Sequence, residues 1–212
     1  DATVYEVPMI ATNDGNVVTQ TNPFPVTISS ISQSSSAETN TDSFGRQRIS
    51  SPLTLFDSSH RYKDNGLWNE DITGDASSTF SLNEGLVNLT VGDNANDEII
   101  RETNKVMSYQ PGKSLLILNS FVFNAAKTGL RQRVGYFGSD NGIYLEQDGT
   151  NIYVVERSKI TGSVVESKIA QADWNVDKLD GTGTTGYTLD LTKAQILYID
   201  LEWLGIGTVR IG

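Results

Sequence analysis

The side chains best placed to do chemistry are carboxylates near the end of the chain. In the strand-like run Ile196–Leu204, Asp200 and Glu202 are two residues apart, so both fall on one face of a pleated strand, with Tyr198 and Leu204. Two carboxyl groups beside an aromatic ring are the apparatus of glycoside hydrolysis, one acting as acid and the other as base or nucleophile. Glu146 and Glu156 lie on other strand-like runs and are further candidates. Against catalysis, Ile199, Leu201 and Trp203 form the opposite, apolar face of the same run. Asp200 and Glu202 then read as the solvent side of a half-exposed strand in an acidic protein. No catalytic residue is expected.

Other constellations fail on spacing. Pro111-Gly112-Lys113-Ser114 has the end of a phosphate-binding loop, but that motif needs a glycine where Met107 stands. Leu-Leu-Ile-Leu follows it, a strand where a phosphate loop must open a helix. Asp173, Asn175, Asp177 and Asp180-Gly181 space oxygen side chains as a calcium loop would. The glycine and glutamate of such a loop are replaced by Lys178 and Thr184, and a turn built on Asx hydrogen bonds is expected. The acidic loop Gly92–Glu98 reads the same way. His60 is the only histidine, so a triad or histidine-rich metal site has at most one member; it reads as solvated beside Arg61. No metal or cofactor is expected. Asn88-Leu89-Thr90 matches a glycosylation sequon, which three residues often do by chance. The rings of Trp68, Trp174, Trp203, Tyr109, Tyr136, Tyr144, Tyr153, Tyr187 and Tyr198 could stack on sugars, but read better as core or interface anchors.

The 212 residues carry a formal net charge of −10 and only 37% hydrophobic residues. That charge repels nucleic-acid phosphates, and the basic pairs Arg46/Arg48 and Arg131/Arg133 are too few to offset it. Without cysteine there is no disulfide or thiolate site. No apolar run is long enough to span a bilayer, so membrane insertion is not expected. The run Leu201–Gly212 ends in a strand-like pattern, and the domain is expected to continue past Gly212.

The elements that must position these residues are strands. Val134–Phe137, Ile143–Glu146 and Ile152–Glu156, with turns at Asn141-Gly142 and Asp148-Gly149, predict a three-stranded meander within Arg131–Arg157. Ser78–Leu82 and Leu86–Val91 predict a hairpin through Asn83-Glu84-Gly85. Further strands are expected within Arg48–Phe56, Tyr62–Trp68, Ile99–Tyr109, Ser114–Phe123, Val164–Ala170, Ile196–Leu204 and Thr208–Ile211. Single helical turns are expected at Ala170–Trp174 and Leu191–Ala194. The sum is an all-β fold, an antiparallel β-sandwich of jelly-roll type. Residues 1–43, with Asn22-Pro23-Phe24-Pro25 and the polar run Ser29–Thr41, read as an extended N-terminal arm and Ser-rich linker; 44–212 form the sandwich.

Five stretches in order, Asp42–Phe56, Arg101–Ser114, Arg133–Glu146, Trp174–Asp190 and Gln195–Gly212, together resemble a family of structural proteins of tailed bacteriophages, especially those of marine bacteria, with relatives in large aquatic viruses. Thr21–Val26 also resembles the extended lead-in segments of such proteins. The resemblance implies a non-enzymatic virion component, a capsid- or tail-associated appendage, fibre or minor capsid protein. Its partners would be other virion proteins and copies of itself, with a trimer expected, and no functional residue carries over. The alternative is a carbohydrate-binding module that contacts host surface glycans. A polysaccharide-degrading enzyme ranks third.

Overall fold

In the computed structural model, residues 53–202 and 207–212 are described. The expected arm 1–43, the start of the Arg48–Phe56 strand, and Trp203 and Leu204 lie outside them. Residues 53–56 are not in a strand. Eleven strands follow among the described residues: β1 (Trp68–Thr73), β2 (Ser77–Ser81), β3 (Leu86–Thr90), β4 (Glu98–Thr103), β5 (Leu115–Phe121), β6 (Arg131–Phe137), β7 (Gly142–Asp148), β8 (Asn151–Ser158), β9 (Val165–Ala170), β10 (Gln195–Leu201) and β11 (Val209–Ile211). All their pairings are antiparallel. The all-β fold is therefore as the periodicity predicts.

The expected meander extends by one strand into a four-stranded sheet, β6-β7-β8-β9. A three-stranded sheet, β11-β10-β5, packs against it. Leu197 and Ile199 of β10 meet Leu145 of β7, with Phe123 and Leu191 from the connecting loops, and Val134, Tyr136, Ile152 and Val154 line the same layer. Each strand sends alternate residues into this layer, which is the construction of a β-sandwich. The pairing is nested. β5 and β10 enclose the meander, and β1 and β4 enclose the β2–β3 hairpin; an outer pair around inner hairpins is the plan from which jelly rolls are built.

Glycine decides both meander turns. The β7–β8 hairpin has two loop residues, Gly149 and Thr150, with Gly149 at φ 56, where a side chain would be strained. The β6–β7 turn differs from the Asn141-Gly142 expectation. Phe137 pairs with Gly142, and the loop is Gly138–Asn141, closed by the Gly138 amide donating to the Asn141 carbonyl at 2.8 Å. Gly142 is instead the first strand residue, and a Cβ there would sit 2.2 Å from Phe137 Cα. Gly142→Ala is expected to cost about 1–3 kcal/mol, read as a lowered urea midpoint, whereas Gly138→Ala, with open space around it, should cost far less.

Two elements fall short of expectation. β4 stops at Thr103, well short of Tyr109, and the Asn104 amide, donating to the Leu67 carbonyl at 3.0 Å, carries the β1–β4 register one residue further. The expected helical turn at Leu191–Ala194 is a bend closed by the Lys193 amide and the Asp190 carbonyl. The turn near Ala170–Trp174 is a 3-10 segment, Gln171–Asp173.

Candidate functional site

The register of the four-stranded sheet brings charged residues from all four strands onto its outer face. Gly135, Tyr144 and Val155 align across β6, β7 and β8, and Glu146 lies opposite Arg133 and Tyr153. On β9, Glu166 opposes Arg157 and Lys168 opposes Val155. Gly135 leaves room for its neighbour: a Cβ there would stand 2.6 Å from Tyr144 Cα. Tyr144, Glu146 and Val155 are 0% exposed, beneath this charged layer.

The charges are shared in a closed lattice. Glu146 accepts from Arg131 Nε on one oxygen and from Lys168 Nζ on the other. Glu166 accepts from Arg131 Nη2 at 2.8 Å, Arg157 Nη2 at 2.7 Å and the Tyr144 hydroxyl at 2.8 Å. Arg157 also donates to the Gly138 carbonyl at 3.0 Å, tying the lattice to the β6–β7 turn. Its guanidinium lies 5.2 Å from the centre of the Tyr144 ring, and Lys168 Nζ lies 5.2 Å from that of Tyr153. Arg133 extends the layer to Glu98 of β4 at 3.0 Å.

Electrostatics fixes the protonation states. Burial raises the Glu166 pKa, but the hydrogen bonds from Arg157 and Tyr144 and the charge of Arg131 outweigh it and hold the group at about 2. Burial, then its bond to Glu166, pushes the Tyr144 phenol up. Glu166 is therefore held as the anion and Tyr144 as the donor around neutral pH, whereas general acid–base work needs a group that exchanges protons there. Glu166→Gln tests this. A carboxylate with a depressed folded pKa stabilises above its unfolded value, 4.5, and the contribution fades as pH falls through about 2. With solvent screening of a partly exposed group allowed for, the variant is expected to lose about 2 kcal/mol at pH 7. The gap to wild type should close between pH 4.5 and about 2 in urea titrations. A gap independent of pH contradicts the assignment.

The other candidate residues do not converge. Glu156 is exposed on β8 and pairs with Ile143, so it faces away from Glu146. Asp200 lies on β10 and Glu202 one residue past its end, and both are buried, at 0% and 1% exposure, not solvated. The Tyr198 hydroxyl stands 3.5 Å from Asp200 Oδ2, and Arg210 opposes Asp200 in register. Since Leu197, Ile199 and Leu201 turn inward, Asp200 lies on the outer face of its sheet and Glu146 on the outer face of the opposite one. The four carboxylates form no single site.

The loops bear out their turn chemistry. Asp177 accepts from the amides of Leu179 and Thr185, both at 2.8 Å, and Asp180 from the Thr182 amide at 2.8 Å and its hydroxyl at 2.6 Å. Those bonds lower both pKa values. Among the described residues no three His, Asp or Glu side chains are grouped as metal ligands. In the Gly92–Glu98 loop, Asp97 accepts from the Asp75 and Asn94 amides. Pro111–Ser114 is a turn, with the Lys113 amide donating to the Gln110 carbonyl at 3.1 Å, and β5 follows it. His60 departs from the solvated reading: it is half-buried, with ring centroids of Trp68 and Phe80 each 6.3 Å away. Asn88 is exposed on β3. Of the rings, Tyr144 is buried, Tyr136 and Trp174 pack on the core, and Tyr187 is exposed.

A recess of about 250 Å³ lies between the β7–β8 hairpin tip and the 3-10 segment, lined by Asn151, Tyr153, Gln171 and Asp180 among others. The sequence signals no such recess, because Asn151 and Asp180 meet only through the fold. No protein-family model, curated protein or solved structure matches the chain.

Proposed function

We propose that this chain is a non-enzymatic structural part of a virus particle, acting by assembly through its β-sandwich and its N-terminal arm. The observation that favours a structural over a catalytic use of the sheet is the closed lattice on the meander. Arg131, Tyr144, Glu146, Arg157, Glu166 and Lys168 spend their hydrogen bonds on one another across four strands. That stiffens the sheet and leaves no nucleophile–base pair within the lattice. Apolar side chains are meanwhile displayed outward on β3, β5, β9 and β10, at Leu89, Leu118, Val165 and Ile196. Such surface suits subunit contacts better than solvent. The virion assignment rests on the resemblance of the five stretches; the all-β sandwich is compatible with it. The test offers tagged full-length chain and a 44–212 chain to assembling particles. Incorporation of the full chain alone supports the reading, equal incorporation of both removes the arm's docking role, and incorporation of neither overturns the proposal.

A second reading, a glycan-binding module, is favoured by one feature. The recess at Asn151, Tyr153, Gln171 and Asp180 combines a ring with amide and carboxylate groups, as sugar sites do. Binding on a glycan array that Asn151→Ala abolishes would support it, and an array without signal, with or without chelator, removes it.

A further inference from the structure

We propose that Asn65 and Gly66 form a self-modifying site. There the Gly66 nitrogen displaces ammonia from the Asn65 side chain, and the succinimide so formed opens to aspartate and isoaspartate. The inference is independent of the assembly reading and rests on a comparison within the chain. Asp-Asn-Gly occurs twice, as Asp64–Gly66 and as Asp140–Gly142, and the fold arranges the two copies differently.

At the first copy the groups that the reaction uses converge. The Gly66 amide donates to Asp64 Oδ1 at 3.3 Å, so a carboxylate faces the nucleophilic nitrogen and can take its proton. Arg101 Nη2, 3.5 Å from the same oxygen, holds that carboxylate over the turn. The Leu67 amide donates to Asn65 Oδ1 at 3.1 Å, the oxygen on which negative charge develops when the nitrogen adds to Cγ. The leaving nitrogen, Asn65 Nδ2, donates to Ser58 Oγ at 2.6 Å. Asn104, just past β4, clamps the Gly66 and Leu67 carbonyls at 3.1 and 3.0 Å, which orders the turn before the reaction begins. A Cβ at Gly66 would meet nothing within 4 Å, so the turn is open to water, and glycine itself puts no side chain in the path of the attack.

The step balances with water as the only co-reactant. A bond forms between Gly66 N and Asn65 Cγ, the Gly66 proton passes by way of Asp64 to Nδ2, and the Cγ–Nδ2 bond breaks as ammonia leaves. Water then opens the imide at either carbonyl. One opening gives aspartate, and the other gives isoaspartate, with an extra methylene in the backbone. Either product loses the donor to Ser58 and adds a negative charge at the entrance to β1.

At the second copy the same parts are engaged elsewhere. Both oxygens of Asp140 accept from Lys159 Nζ at 3.1 Å, and Asn141 Oδ1 accepts from the Lys159 amide at 3.0 Å. Gly142 is a strand residue, paired with Phe137 on one side and Arg157 on the other. Its nitrogen is fixed in the sheet and cannot turn onto the Asn141 side chain without disturbing that register.

The test incubates the full chain near neutral pH, folded and in urea. Both sites are followed by peptide mapping, with isoaspartate detected by enzymatic methylation. In the folded chain Asn65 is expected to convert about tenfold or more faster than Asn141. In urea the two tripeptides share their local sequence and lose their different surroundings, so the rates should converge. Asp64→Ala, with an unchanged circular dichroism spectrum, should slow Asn65 in the folded chain by about tenfold or more and leave Asn141 at its wild-type rate. Equal rates in the folded chain, a ratio that urea leaves unchanged, or wild-type conversion of Asn65 in the Asp64→Ala chain overturns the proposal.

Discussion

Glu146→Gln is expected to destabilise the domain by about 3–5 kcal/mol, the cost of breaking a buried ion pair from one side. Glu146 is fully buried and bridges Arg131 of β6 to Lys168 of β9. Glutamine keeps the shape but removes the charge and puts an amide NH2 donor where a carboxylate oxygen accepted. One cation then faces a donor at a fully buried position, and both lose the Glu146 charge, Arg131 keeping only its bond to Glu166. The loss spans the sheet, because the two cations stand on strands at opposite edges. Urea denaturation measures it. Replacing Glu146, Arg131 and Lys168 together by leucine, methionine and methionine should recover most of the loss, since desolvation opposes a buried pair as strongly as its partners favour it. A single variant as stable as wild type would mean that the lattice contributes nothing.

Ile199→Ala is expected to cost about 3–5 kcal/mol, at the upper end for deleting a buried aliphatic side chain. Ile199 is 0% exposed in the central strand of its sheet, opposite Ile117 of β5 and Ile211 of β11. Its packing partners come from two sheets, so the void cannot close by moving one element. The thermal midpoint should fall by many degrees, while Leu82→Lys, at an exposed leucine, leaves it in place. A loss below about 1 kcal/mol would show that the two sheets do not share this core.

The meander was legible because its signals are local. Aromatic and β-branched residues alternate in each strand, and Gly149 marks a two-residue turn. Pairing of β5 with β10 was not legible, since the partners lie on either side of the whole meander and alternation says nothing about which strand is next. The lattice was hidden for the same reason. Arg131, Glu146, Arg157, Glu166 and Lys168 each look like solvated charges in an acidic chain, and only the register places them on one face. Asp200 and Glu202 show the reverse error. Alternation placed them on one face but assigned that face to solvent, because period-two patterning distinguishes two faces without saying what covers either. His60 was misread as solvated because its ring partners, Trp68 and Phe80, lie on different strands.

The most direct test of a building part over a catalyst or a lectin is quantitative mass spectrometry of purified particles. The account predicts this chain in the particles at a fixed copy number that survives washing in high salt. Finding it only in the soluble fraction of the lysate, with none carried by the particles, would contradict it.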